Sequence, residues 1–298
     1  MGKSLLGFPF LFYRRPFGEK RALTVSFGPF LGMTAGRKFF RDGSLIRETM
    51  TSQKNIRFIL AYDGSRYHGW QRQKNAQTIQ GVLEDGIQRM TGQPATLIAS
   101  GRTDAGVHAL HQVCHFMTRS DILPESFRRG LNSLVRPDIF IREAAYVPLD
   151  FHARYGAKSK TYEYRILNRR QPDIFLRFYS WHIRVKLDMD EMKKCLGLLP
   201  GRRDFSSFRS SGSGNIDPVR EMRRAEIRTS GGGLLYLLFE AEGFLRHMVR
   251  NVVGTLVDVG LGKMDAEDFG RILESRDRRE AGIKAPAQGL FLKMVRYE

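Results

Sequence analysis

From residue 55 onward the chain alternates between the two-residue period of a strand and the 3.6-residue period of a helix, and it does so in two stretches of similar make-up. No other feature of the sequence restricts the fold as much. Ile56, Phe58, Leu60 and Tyr62 alternate with Arg57, Ile59 and Ala61, which predicts a strand ending at the turn pair Asp63-Gly64. Thr78 can cap a helix that runs to about Met90 on Ile79, Val82, Leu83, Ile87 and Met90, closed by Gly92 and Pro94. A short strand over 95–100, a polar loop from Gly101 to His108, a strand near 110–117, a helix over 124–134 and a strand from Ile139 follow. The second stretch predicts strands over 160–167 and 179–185, a helix over 189–199 and a long hairpin turning at Gly231–Gly233. A helix over 244–259 and a last strand over 290–297 complete it. Strand hairpins with covering helices in two similar halves, 50–157 and 158–298, imply an α+β fold with a mainly antiparallel mixed sheet.

The first forty-nine residues share none of this order. Phe8, Phe10, Phe12, Phe17, Phe27, Phe30, Phe39 and Phe40 are broken by Pro9, Pro16 and Pro29, with neither period sustained. The apolar start holds Pro9, runs into Arg14-Arg15 and has no clear small-residue cleavage site, so a secretory signal is discounted. An arginine-rich, acid-poor organelle transit peptide is the harder alternative. The favoured expectation is a non-native or disordered extension, with Met50 as the true start.

Composition narrows the partners. The 298 residues hold 49 Lys and Arg against 31 Asp and Glu, a formal charge of +18. With the basic residues interleaved among aromatics, that excess points to a polyanion such as nucleic acid rather than to a single charged tail. Cys114 and Cys195 are the two cysteines, which leaves no disulfide framework and suits a reducing cytoplasm. No apolar run of about 18 residues exists, so no membrane span is expected.

The segment with the most chemical content is Ser100-Gly101-Arg102-Thr103-Asp104-Ala105-Gly106-Val107-His108. Two glycines bracket an arginine and a carboxylate, so the backbone can approach a ligand and Asp104 can sit at the mouth of a cleft. The plain reading is an ordinary Asp-Ala-Gly turn. His108, His111, Cys114 and His115 have ligand chemistry, but on a strand His111 and His115 face one side and Cys114 the other, so no metal is assigned. Gly260-Leu261-Gly262-Lys263 resembles a phosphate loop only superficially, since it follows a helix and lacks the full spacing.

The stretches Tyr62-Asp63-Gly64-Ser65-Arg66-Tyr67-His68-Gly69-Trp70-Gln71-Arg72-Gln73 and Gly101 to His108 resemble the TruA-type tRNA pseudouridine synthases. So do Phe151-His152-Ala153-Arg154, Lys160-Thr161-Tyr162-Glu163-Tyr164, Asp204 to Phe208, Asp217-Pro218-Val219-Arg220, His247 to Gly254 and Gly289 to Leu292. The likeness spans about Asn55 to Tyr297. Arg209 to Asn215 departs from it in composition, and nothing before Met50 takes part. The resemblance implies the pseudouridine synthase fold and a cofactor-free isomerisation of uridine in the anticodon stem-loop of tRNA, at about positions 38, 39 and 40, by a homodimer. Asp104 aligns with the family's essential aspartate, a carboxylate able to act as nucleophile or as base toward the sugar.

Around Asp104, either Arg102 or Arg250 could pair with the carboxylate and favour its ionised form. Tyr162 matches the family's substrate-contact position, and from a strand its ring could stack on an extruded base. Leu290 resembles an apolar position lining the uracil pocket, with plain core as its alternative. Arg66, Arg72, Lys74, Arg154 and Lys160 are the leading phosphate-contact candidates, with Arg57, Arg128, Arg129 and Lys158 behind them. Two rival functions are a catalytically silent RNA-binding or RNA-remodelling protein on the same fold and a metal-dependent nuclease built on the histidine cluster.

Overall fold

A computed structural model of the chain describes residues 52–212 and 217–298. The expectations about residues 1–49 and the Met50 start, and part of the Arg209–Asn215 stretch, lie outside the described residues.

Strand β1 (Lys54–Tyr62) buries Ile56, Phe58, Leu60 and Tyr62 as its alternation requires. It pairs antiparallel with β3 (His108–Thr118) on one side and β4 (Ile139–Val147) on the other. Helix α1 (Ile79–Thr91) starts where the Thr78 side chain accepts the Gly81 N–H, and it ends at Gly92, whose φ of 72° few other residues would tolerate. Helix α2 (Pro124–Leu134) has the expected bounds, with proline in its first turn. These two helices pack on one another and α2 lies along β4. Phe58, Phe116 and Phe127 form the aromatic centre beneath them, with ring centroids 5.2–6.4 Å apart.

Three expected elements depart most from their patterns. The strand expected over 95–100 is reduced to β2 (Ile98–Ala99), because the Leu97 N–H donates to the Glu84 carboxylate and its carbonyl accepts from Gln80. Side chains of α1 thus do what a partner strand would have done. The strand expected over 179–185 is only β6 (Trp181–Ile183), since the Asn168 side chain takes the carbonyls of Ile183 and Val185. The helix expected from Phe244 begins at Met248, because His247 adopts a left-handed φ of 60° and breaks the chain direction.

The remaining elements are β5 (Ser159–Asn168), α3 (Met189–Gly197), β7 (Gly201–Asp204), β8 (Val219–Ser230), β9 (Leu234–Ala241), α4 (Met248–Gly260), α5 (Ala266–Ser275) and β10 (Leu290–Arg296). The Gly231–Gly233 turn joins β8 to β9 as expected. Neither β7 nor α5 is among the expected elements, although α5 carries a reciprocal cap between Asp265 and Asp268 and buries Phe269, Ile272 and Leu273 at helical spacing. Among the described residues ten strands join one mixed, mostly antiparallel sheet in the order β4-β1-β3-β10-β5-β9-β8-β7, with β2 on β3 and β6 on β5. The chain's last strand thus lies between β3 and β5, parallel to the first and antiparallel to the second. That insertion brings the loop before β3 close to the residues of β5 and α4.

Candidate active site

A cleft of about 480 Å³ opens beside this junction. One wall is the loop from Ala99 to Val107, the other Phe244 to Arg250, with Arg154, Lys160, Tyr162 and Leu290 between them.

The first wall is tied down along its length. Ser100 N donates to Val113 O at 2.8 Å, and the Gln112 side chain donates to Gly101 O at 2.9 Å. Trp70 N donates to Thr103 O at 3.0 Å, and the Thr103 hydroxyl meets the Tyr62 hydroxyl at 2.8 Å. Gly106 N reaches Tyr67 O at 3.3 Å. The 62–73 motif is therefore a buttress for the Asp104 loop. Its Tyr62, Tyr67 and Trp70 are buried, and a Cβ on Gly69, at φ 85°, would stand 2.5 Å from Thr103 O.

Asp104 projects from that loop with its side chain 33% exposed. Its Oδ2 lies 3.2 Å from Arg250 Nη1, which donates to it, and 3.5 Å from His247 Nε2. Arg250 is buried in the first turn of α4, and its Nε donates to Ala285 O at 2.7 Å while Ala285 N returns a bond to Arg250 O. Of the two arginines expected to compete for the carboxylate, the structure selects Arg250. Arg102 lies exposed at the rim and makes no ion pair with Asp104.

His247 is not among the site residues expected from the sequence, where it falls inside the helix predicted over 244–259. Its strained backbone turns the ring into the cleft, and its buried Nδ1 has no hydrogen-bond partner among the described residues. Burial pushes the imidazole below its ordinary pKa. Asp104 opposes that shift, and Lys284, Arg250 and Arg246 add to it, which favours the neutral ring beside the carboxylate at neutral pH.

Tyr162, on β5, is buried with its ring edge-on to Phe244 at 5.0 Å. Burial, with Tyr62 and Asp104 adding, holds its phenol well above the usual value, so the hydroxyl stays protonated. Leu290 opens β10 and is both buried and on the cleft lining, so the pocket and core readings of this residue are compatible.

The basic candidates divide. Arg154 and Lys160 line the cleft, whereas Arg66, Arg72 and Lys74 are exposed elsewhere. Arg72 is engaged by Glu84 at 3.2 Å and Asp85 at 2.8 Å, which weakens its case as a phosphate ligand. Arg128 is likewise held by Glu125, and Arg57 lies in a separate cleft with His111. The histidine cluster is dispersed. His108 Nδ1 accepts the Gly64 N–H, His115 Nδ1 accepts the Ala153 N–H, and Cys114 is buried. Among the described residues no three His, Cys, Asp or Glu side chains gather as a metal ion would require.

A carboxylate paired with one buried arginine, in a cleft floored by an aromatic ring and rimmed by cations, suits covalent or acid–base chemistry on an anionic polymer's base. Comparison with known proteins agrees. The family model described as tRNA pseudouridine synthase matches residues 59–156 and 197–298. The chain is 44% identical over 244 residues to tRNA pseudouridine synthase A of Acetivibrio thermocellus, covering 82% of this chain and 100% of that one. It is 46% identical to the protein of that name from Moorella thermoacetica, over 81% of this chain and 99% of the relative. With that of Syntrophotalea carbinolica it shares 43% identity, over 81% of this chain and 96% of the relative. The chain belongs to the tRNA pseudouridine synthase family.

Proposed function

We propose that this protein isomerises uridine to pseudouridine in the anticodon stem-loop of tRNA, at about positions 38, 39 and 40, with Asp104 as the nucleophile. The observation that carries the reading is the Asp104–Arg250 pair at 3.2 Å inside a cleft lined by Tyr162 and Leu290. Arg250 holds the carboxylate in place through a charge-assisted hydrogen bond. Asp104 attacks the ribose, the bond from sugar to uracil N1 breaks, and the base turns within the cleft. C5 then joins the sugar as the carboxylate leaves, the C5 proton departs to solvent, and N1, freed from the sugar, takes up a proton in its place. Nothing is gained or lost overall, so the chemistry balances without a cofactor.

The target base is stacked in its stem, and flipping it out costs a few kcal/mol. Tyr162 and Leu290 offer the extruded base an aromatic and an apolar surface, while Arg102, Arg154 and Lys160 stand where its backbone would run. Arg66 and Lys74 are proposed to contact the same RNA farther out. The working unit is proposed to be a cytoplasmic homodimer, with residues 50–157 carrying the Asp104 loop and residues 158–298 completing the cleft.

Tritium release from tRNA labelled at uridine C5 tests this directly. Wild-type protein is expected to release tritium, and Asp104→Asn, nearly isosteric, to bind tRNA and release none. Equal release by both would remove Asp104 from the mechanism. Binding without release by either would favour the silent RNA-binding reading.

A further inference from the structure

Lys160 is a half-buried cation with no counter-ion among the described residues. It stands near the start of β5 on the cleft lining, and its ammonium makes no hydrogen bond or ion pair among the described residues. The lysines that do form ion pairs, such as Lys54 with Asp121 and Lys193 with Asp190, lie nearer the surface, where pairing is worth little. Glu240, one strand over, is bonded to Ser159 Oγ and lies 3.7 Å from Arg224. Asp104 is the single acidic residue among the described residues of the cleft lining, and Arg250 already holds it. Every other charge facing the ammonium is positive or weakly basic. Arg102 comes from the first wall, Arg154 from the segment before β5, Arg220 from β8, and Arg246 and His247 from the second wall. Beside Nζ is Gly101, where a Cβ would come to 3.6 Å, so that side of the ammonium is left clear.

A cation desolvated among other cations is costly unless an anion arrives to complete the set. We infer that Lys160, with Arg154 and Arg102, forms a phosphate subsite inside the cleft that takes one phosphodiester of the nucleotide flipped against Asp104. The inference deepens the proposed function and rests on it. Burial, with Arg154 and Arg220, brings the Lys160 pKa down to about 8, so the empty subsite carries its charge at neutral pH and sheds it just above. A phosphodiester keeps its single negative charge throughout that range. Any loss of binding there comes from the protein or the base.

The test compares wild type, Lys160→Arg, Lys160→Gln and, as an exposed control outside the cleft, Arg89→Gln, by tritium release from uridine-labelled tRNA between pH 7 and 9. At pH 7, Lys160→Gln should raise KM about tenfold or more with kcat within about threefold, and Arg89→Gln should match wild type. From pH 7 to 9 wild-type KM should climb by up to about tenfold, as the fraction of charged Lys160 falls through its pKa. Lys160→Arg keeps its charge and should hold its KM, with only the uracil N3 titration that both proteins share. The inference is overturned if Lys160→Gln has wild-type KM, if Arg89→Gln loses as much, or if wild type and Lys160→Arg give superimposable pH profiles. Should Lys160→Gln fail to fold, the Lys160→Arg comparison still decides. If wild type releases no tritium, the proposed function fails instead, and tRNA binding over the same pH series tests the subsite alone.

Discussion

The wall that carries Asp104 and the wall that carries Arg250 are held by different kinds of contact. The Asp104 loop is pinned by hydrogen bonds to a motif some thirty residues upstream and to the strand that follows it, from the backbones of Tyr67, Trp70 and Val113 and the side chain of Gln112. The Arg250 wall depends on a bend at His247 and on a far segment, 283–285, packed against α4. The first wall is thus a preformed cradle for one carboxylate. The second is a tertiary assembly that delivers the cation to it, and it fails if either the His247 bend or the 283–285 segment moves.

The largest effects should come from closing the gaps on which each wall rests. A Cβ at Gly254 would sit 1.6 Å from Ile283 O, and one at Gly64 would sit 2.0 Å from Val107 O. Both meet backbone that cannot yield like a side-chain end. Gly254→Ala and Gly64→Ala are each expected to lose more than about 3 kcal/mol in urea unfolding. If Gly64→Ala folds normally, the first wall is more pliant than its bonds suggest and the contrast is broken.

Arg250→Lys is the finer cut. A lysine keeps the charge but cannot both donate to Ala285 O and reach Asp104 in the fixed geometry of the guanidinium fork. It should lower kcat/KM for tritium release about 100-fold, with the urea midpoint shifting far less than in the glycine variants. A near-normal rate would mean that charge alone, not orientation, is what the second wall supplies.

The smallest effect concerns the residue between the walls, and its sign is opposite. The folded-state pKa of Lys160 is lowered to about 8 from an ordinary 10.5, so the charged form opposes folding below about pH 8. Between those two values the unfolded chain binds the extra proton, and wild-type stability rises with pH. Lys160→Met should therefore be more stable than wild type by about 1–3 kcal/mol at pH 7. That advantage should be complete below about pH 8 and shrink toward pH 10.5. Urea unfolding across that range checks it, and a destabilised Lys160→Met at pH 7 would show that the lysine already has a partner in solution.

The elements the sequence made legible are those whose signals are local. The alternation of β1, the caps of α1, the bounds of α2 and the glycine turn between β8 and β9 all arise within a few residues, where period and turn chemistry act. The strand expected over 95–100 failed because side chains of α1, not a neighbouring strand, satisfy its backbone, and no window of sequence reports that. The helix expected from Phe244 starts later because His247 is left-handed, and no local signal marks a histidine for that conformation. The signals of α5 are equally local, because the Asp265 and Asp268 cap and the spacing of Phe269, Ile272 and Leu273 lie within ten residues.

For the site, the sequence by itself determined the glycine-bracketed carboxylate, the alternating strand that sets Tyr162, the basic balance and the family to which these motifs belong. Tertiary structure alone decided that Arg250 and not Arg102 meets Asp104, that His247 enters the cleft, that Arg72 is tied to Glu84 and Asp85, and that Lys160 stands without a counter-ion among the described residues. The physical reason is range. Periodicity, caps and turns act over a few residues, whereas the choice of an ion pair and the desolvation of a lysine depend on which segments meet. Here that is settled by β10 lying between β3 and β5.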